Sequence, residues 1–273
     1  MLNIHGRGHE GRRGSEGLNN TPPYKIMQVA YLINTTPKYF YLLPLHITLL
    51  HRYSKMDWPI YIATEARDQL PELPSSVNII DLPQDKEGFW DSRAEAVRRL
   101  PDNIKYVLPM QEDFLLEGRP MTDVIEQAIT LMENHPISSM RLMPCPGPKG
   151  LPFESTHWLI LDYPQDSLLF TYQATLWRRE DYIEFMELLI KQVRPESQNR
   201  VAIKMNLAEL EQGHLLLKSL GKLHLAWPRE GDHPNAVYLC PWPYRPTAVV
   251  RGTLEPWAAD LMKREGFSIK LSL

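Results

Sequence analysis

A chain of 273 residues, 43% apolar and 23% charged, can bury a sizeable core and hold one large domain or two small ones. Its 30 basic and 33 acidic side chains leave a net charge of −3, which excludes a general attraction to nucleic acid or to an anionic membrane. No apolar run reaches the roughly 18–20 residues that span a bilayer, and two cysteines, Cys145 and Cys240, cannot build a disulfide framework, so a cytoplasmic, reducing setting is expected.

The opening stretch, residues 1–23, reads MLNIHGRGHEGRRGSEGLNNTPP and has almost nothing to bury. It is expected to be a disordered leader, with residues 24–273 forming one domain. Met27 would serve equally well as a start. Gly6, Gly8 and Gly11 match a dinucleotide-binding spacing, but no strand precedes them and no helix follows, so the match is chance.

Gln28–Asn34 is a short apolar run of strand formers bounded by Thr35-Thr36-Pro37, and reads as a buried strand. Tyr39–Ser54 has Leu42, Leu45, Leu49 and Leu50 at helical spacing, interrupted by Pro44. Ile60–Ala63 and Val77–Leu82 read as strands, Phe89–Leu100 as an amphipathic helix, and Tyr106–Met110 as a fourth strand running straight into Glu112-Asp113. Met121–Glu133 follows as a helix, with Thr122 as its cap and Val124, Ile125, Ala128, Ile129 and Met132 facing inward. This alternation predicts an α/β fold with a mostly parallel sheet flanked by helices. Ligands in such folds sit beyond the carboxyl ends of the strands, where Thr35, Thr36, Glu112 and Asp113 fall.

The second half is less regular. Ser139–Met143, Trp158–Asp162 and Leu168–Tyr172 read as strands, the last two antiparallel, and Arg179–Val193 and Val201–Leu217 as helices. Prolines cluster at Pro144–Pro152 and Pro241–Pro246, and a helix from about Glu255 to Arg264 closes the domain.

The sharpest chemical feature is Glu112-Asp113. Two adjacent carboxylates ending an apolar strand suit a hard divalent cation such as Mn²⁺ or Mg²⁺, or direct contact with a sugar. A solvated strand end is the plainer reading of such a pair. The 9 histidines are scattered, and no Cys-X-X-Cys, Walker-type loop or Gly-X-Ser-X-Gly elbow is present.

Several short motifs occur in an order that resembles a group of GT-A-type glycosyltransferases of bacterial surface-polysaccharide loci and large DNA viruses. They are Asp85-Lys86-Glu87-Gly88-Phe89-Trp90, the strand ending Gln111-Glu112-Asp113-Phe114 in place of the usual Asp-X-Asp, Tyr172-Gln173-Ala174-Thr175-Leu176-Trp177-Arg178, and Pro243-Tyr244 through Ala248-Val249-Val250-Arg251-Gly252. One departure stands out: the family's aromatic-acidic-aromatic-Glu run is replaced by Asn206-Leu207-Ala208-Glu209-Leu210-Glu211.

The resemblance implies a GT-A-like, Rossmann-like fold and transfer of a sugar from a nucleotide-diphosphate donor, UDP-type, to a glycan or lipid-linked glycan acceptor. It places the enzyme in the cytoplasm, with a peripheral position at the membrane open. Asp113 and Glu112 would contact the donor sugar or hold the cation, and Glu209 or Glu211 would be the catalytic base. Thr35, Thr36, Glu65, Arg93, Gln173 and Arg251 are donor-binding candidates; ordinary loop or surface roles are the alternatives for each. A non-catalytic nucleotide- or glycan-binding protein and a nucleotidyltransferase are the rival functions.

Overall fold

A computed structural model describes residues 28–83, 89–145, 147–166, 168–192, 209, 211–229 and 239–267. The leader, Met27, Asp85–Gly88, residues 201–208 and the last six residues lie outside them.

The first strand, β1 (Val29–Asn34), shows why the sheet is covered on both sides. Val29, Tyr31 and Ile33 point into one core, Ala30 and Leu32 into the other. The expected single helix after it is divided. A 3₁₀ turn over Pro37–Leu42 hands over to α1 (Leu43–Tyr53), because Pro44 has no N–H to continue a helical ladder and sits instead in the first turn of α1. Then come β2 (Ile60–Thr64), β3 (Val77–Asp81), α2 (Phe89–Arg98) and β4 (Tyr106–Gln111), all within a residue or two of expectation. In α3 (Thr122–Asn134) the cap position is Met121 with no side-chain bond, so Thr122 is the first helical residue and not the cap. Val124 is half-buried, while Ile125, Ala128, Ile129 and Met132 are buried as expected.

The irregular half departs further. β5 (Ile137–Arg141) and the two-residue β6 (Leu159–Ile160) are strands, but Leu168–Tyr172 is not. The carbonyls of Leu168 and Leu169 accept from the Arg141 guanidinium at 2.7 and 3.1 Å, which leaves them no strand partner. The strand lies a few residues on, at β7 (Thr175–Arg178), leading directly into α4 (Arg179–Gln192). Of the helix expected over Val201–Leu217, the described part is α5 (Glu211–Ser219). β8 (Leu223–Ala226), the hairpin β9 (Val249–Val250) and β10 (Thr253–Leu254), and α6 (Pro256–Arg264) follow.

Among the described residues eight strands form one sheet in the order β3-β2-β1-β4-β7-β5-β8-β6. The four from β3 to β4 are parallel, β7 is antiparallel to both neighbours, β5 and β8 are parallel, and β6 is antiparallel at the edge. Helices α1, α3 and α6 cover one face; α2, α4 and α5 cover the other. The fold is therefore mixed α/β, with a mostly parallel first half.

Candidate functional site

The chain lays down β1, moves outward through β2 and β3, then returns to place β4 on the opposite flank of β1. The strand order therefore reverses between β1 and β4, and a crevice lies at their carboxyl ends, at this topological switch point. Register sets Asn34 beside Gln111, so Thr35 and Glu112-Asp113 emerge next to each other.

Glu112 and Asp113 are both only 6% exposed. Burial, with the backbone bond of its own turn pulling the other way and Asp113 adding to it, pushes the Glu112 carboxyl up to about 8. Thr35 and Arg93 favour its ionised form. The Thr35 hydroxyl lies near Glu112 without completing a hydrogen bond, and its Oγ1 is buried with no partner among the described residues. Asp113 is raised by burial and lowered by Thr247 and Val249. Its two oxygens differ: Oδ2 accepts from the Thr247 hydroxyl and from Val249 N–H at 3.4 Å, whereas Oδ1 is buried with no partner among the described residues. Thr247 Oγ1 also lies 2.8 Å from the Val249 carbonyl oxygen. A hydroxyl has one proton to donate, so these two acceptors share the Thr247 hydroxyl.

The acidic turn is held from several sides. His46 on α1 is buried, and burial lowers it to about 4, so the ring is neutral; Nδ1 donates to the Glu112 carbonyl at 3.1 Å. Phe114 stacks on Tyr244, with centroids 4.8 Å apart. The Tyr244 hydroxyl donates to Gln173 Oε1 at 2.6 Å and accepts from Ala174 N–H at 2.9 Å, so one tyrosine joins the acidic turn to the segment before β7.

Arg93, on α2, is buried, with Cζ 3.2 Å from the Phe89 ring centroid and 5.6 Å from that of Tyr172. Desolvation lowers its pKa; the phenols of Tyr182 and Tyr172 and the carboxylates Glu112 and Glu65 oppose this. It is thus an inward-facing cation and not a surface arginine. Glu209 accepts from Tyr172 N–H at 3.1 Å through Oε1, is raised by burial, and lies in the field of Arg141. Arg141 is 2% exposed at the end of β5, and desolvation brings it down to about 10.

Of the predicted residues, Arg93 and Gln173 line the cavity at these strand ends, Thr35, Glu112 and Asp113 stand directly beyond β1 and β4, and Glu209 is bonded to Tyr172 in the same lining. Glu65 stands at the end of β2, accepting from Ser92 Oγ at 2.6 Å, and lines an open depression of about 460 Å³ with Arg67, Asp68, Asp81 and Leu82. Thr36 is exposed beyond Thr35, and Glu211 is exposed in the first turn of α5, away from the contacts of Glu209. Arg251 is exposed at the tip of the β9–β10 hairpin, where Arg251 and Gly252 both take positive φ (52° and 82°). A side chain at Gly252 would meet Lys38 Nζ at 2.8 Å, so this glycine lets the Lys38 ammonium pass close to the hairpin. Tryptophans 158, 177, 227 and 242 are core residues; Trp257 is half-buried under Arg245, 4.8 Å away.

The residues that sequence reasoning missed are His46, Arg141, Thr247 and Lys38. A charge closing an otherwise uncharged strand marked Arg141. Nothing local marked His46 or Thr247, whose partners lie 66 and 134 residues away.

A cavity of about 20 Å³ at the crevice, lined by Asn34, Arg93, Gln111 and Gln173 among others, is large enough for a water and too small for a sugar. Among the described residues no group of three or more His, Cys, Asp or Glu side chains could hold a metal ion, and no helix is long and apolar enough to cross a membrane.

No protein-family model matches the chain, and no curated protein matches it. Among solved structures it is similar to residues 1–349 of S. aureus TarS, at 11% identity and a TM-score of 0.40 over 78% of this chain and 63% of that one. A second TarS structure gives 13% identity and a TM-score of 0.38 over 59% of this chain and 31% of that one. The 4-diphosphocytidyl-2C-methyl-D-erythritol synthase of Anaerococcus prevotii gives 7% and 0.36, over 67% and 83%. The chain spans less than two thirds of either TarS structure. Likenesses this distant assign no activity.

Proposed function

We propose that the protein is a glycosyltransferase that moves a sugar from a nucleoside diphosphate donor, UDP-type, to a glycan or lipid-linked glycan acceptor. The observation that carries this reading is the pair of buried, unpartnered oxygens, Asp113 Oδ1 and Thr35 Oγ1, beside Glu112 at the switch point of a parallel sheet. Buried polar atoms are mostly paired, and of the several unpartnered ones among the described residues these two stand together at the ends of adjacent strands, which fits a site completed by a polar ligand. The order of motifs that resembles GT-A-type transferases supports the same choice.

In this reading the donor diphosphate lies over the acidic turn, and its nucleoside extends toward Glu65 and the depression at the ends of β2 and β3. Glu112 and Asp113 Oδ1 suit a hard cation, with donor phosphates completing its shell. Such a cation would draw charge from the departing diphosphate. Arg93, Lys38 and Arg251 are cations among the described residues that could face the phosphates. Glu209 takes the role of base toward the acceptor hydroxyl in preference to Glu211, because its carboxylate is half-buried and raised while Glu211 faces solvent. The setting inferred is cytoplasmic assembly of a surface polysaccharide.

A ligand that binds only the native state raises the melting temperature. A thermal-shift screen of nucleotides and nucleotide-sugars, with and without Mn²⁺, should single out one nucleotide class. If none of them shifts the transition, the transferase reading is abandoned.

A further inference from the structure

Resting on the donor-site reading above, we infer that Thr247 is a positioning residue that commits Asp113 Oδ2 to the protein and so leaves Oδ1 as the oxygen available to a ligand.

Thr247 has φ +62°, in the left-handed region that suits glycine and asparagine and disfavours a β-branched side chain. Residues held there are strained and persist only where the surroundings impose them. What imposes it here is a set of contacts converging on one residue. The Thr247 hydroxyl donates to Asp113 Oδ2, Val249 N–H reaches the same oxygen at 3.4 Å, and Ala248 N–H donates to the Asp113 carbonyl at 3.2 Å. Three consecutive residues thus wrap Asp113 from across the chain. Glycine would satisfy the backbone better but has no hydroxyl. The turn therefore carries the residue that its backbone disfavours and its side-chain bond requires.

A free carboxylate rotates about χ2 and presents either oxygen. With Oδ2 held by two donors that rotation is blocked, and the buried, unpartnered Oδ1 is fixed on the other side. A ligand then meets an oxygen whose ordering cost was met on folding. The same segment runs on into the β9–β10 hairpin, so the arrangement also fixes where Arg251 begins.

The test is titration calorimetry of the full chain with UDP in the presence of Mn²⁺, beside melting temperatures, for wild type and Thr247→Ser, Thr247→Val and Thr247→Gly. Thr247→Ser keeps the hydroxyl and should bind within about twofold of wild type. Thr247→Val should bind about tenfold more weakly, a difference of about 1.4 kcal/mol. Thr247→Gly is relieved of the left-handed penalty and should melt no lower than wild type, yet bind as weakly as Thr247→Val. A merely structural role predicts that affinity follows melting temperature across the series. Should Thr247→Val fail to fold, Thr247→Gly carries the comparison. Wild-type affinity in a folded Thr247→Gly overturns the inference and leaves the donor site standing. A wild-type protein that binds no UDP, Mn²⁺ or other nucleotide overturns the donor site, and the inference with it.

Discussion

His46 Nδ1 donates to the main-chain oxygen of Glu112 at 3.1 Å, tying the first long helix to the acidic turn across 66 residues of sequence. Asp113, one residue on, is tied to Thr247 near the other end of the chain. The turn between them is thus pinned from both termini of the domain, and a side chain missing from either anchor is felt at Glu112-Asp113.

Replacing His46 removes the donor and strands a buried carbonyl. His46→Leu should cost roughly 1–3 kcal/mol in chemical denaturation, and nucleotide affinity should fall with it, because the carboxylates lose their backbone reference. A His46→Leu protein as stable as wild type, binding equally well, contradicts this assignment.

The pH dependence of stability follows from two groups of opposite sign. Burial holds Glu112 at about 8 against an ordinary 4.5, so between those values the native state keeps a proton that the unfolded chain releases. Its contribution is complete below about 4.5 and is lost as pH rises through 8. His46 is at about 4 against 6.5, so its contribution is complete above 6.5 and lost as pH falls through 4; the buried His224, also at about 4, acts in the same sense. The ligand-free protein should therefore lose stability from pH 6.5 to 8.5. Glu112→Gln should flatten that limb by roughly 2–4 kcal/mol and leave the acid limb in place. An unchanged alkaline limb in Glu112→Gln shows that another group titrates there.

Tyr244→Phe keeps the stack on Phe114 and removes only the hydroxyl. Ala174 N–H and Gln173 Oε1 then lose their shared partner, at a cost of roughly 1–3 kcal/mol. Gln173 should turn away from the crevice, so donor affinity should drop more than in Trp242→Phe, a core change used as control. Equal losses in the two variants would remove Tyr244 and Gln173 from the site.

Gly150 is fixed by space. A Cβ there would stand 1.6 Å from the Ile160 carbonyl oxygen, against backbone that cannot swing aside. Gly150→Ala should either melt far below wild type or fail to accumulate as folded protein. A thermally unaffected Gly150→Ala would mean that the loop before β6 sits differently.

The parallel half was legible because each of its strands is a short apolar run with turn residues on both sides, and each helix carries a periodic stripe. That was enough to put Thr35 and Glu112-Asp113 at the same sheet edge. The second half was harder for a physical reason. Leu168–Tyr172 is as apolar as a strand, but its carbonyls answer to Arg141, and no local pattern reveals a partner 27 residues away. The site divided in the same way. Carboxylates at a strand end are visible in sequence, whereas the groups that hold them, His46 and Thr247, declare themselves only once the chain has folded back. Glu209 and Glu211 read alike along the chain; burial separates them.

Glu112-Asp113 is proposed as the reaction end of a nucleotide-sugar site. Its most direct test is release of nucleoside diphosphate from a panel of nucleotide-sugars, with Mn²⁺ and a mixed glycan acceptor pool, by wild type, Glu112→Gln and Asp113→Asn. Wild type should turn over one donor class, and turnover should fall at least about 100-fold in both variants, as expected when a charge-stabilising group at the reacting centre is removed. Turnover that persists undiminished in both folded variants, or release of pyrophosphate from a nucleoside triphosphate in place of donor cleavage, would contradict it.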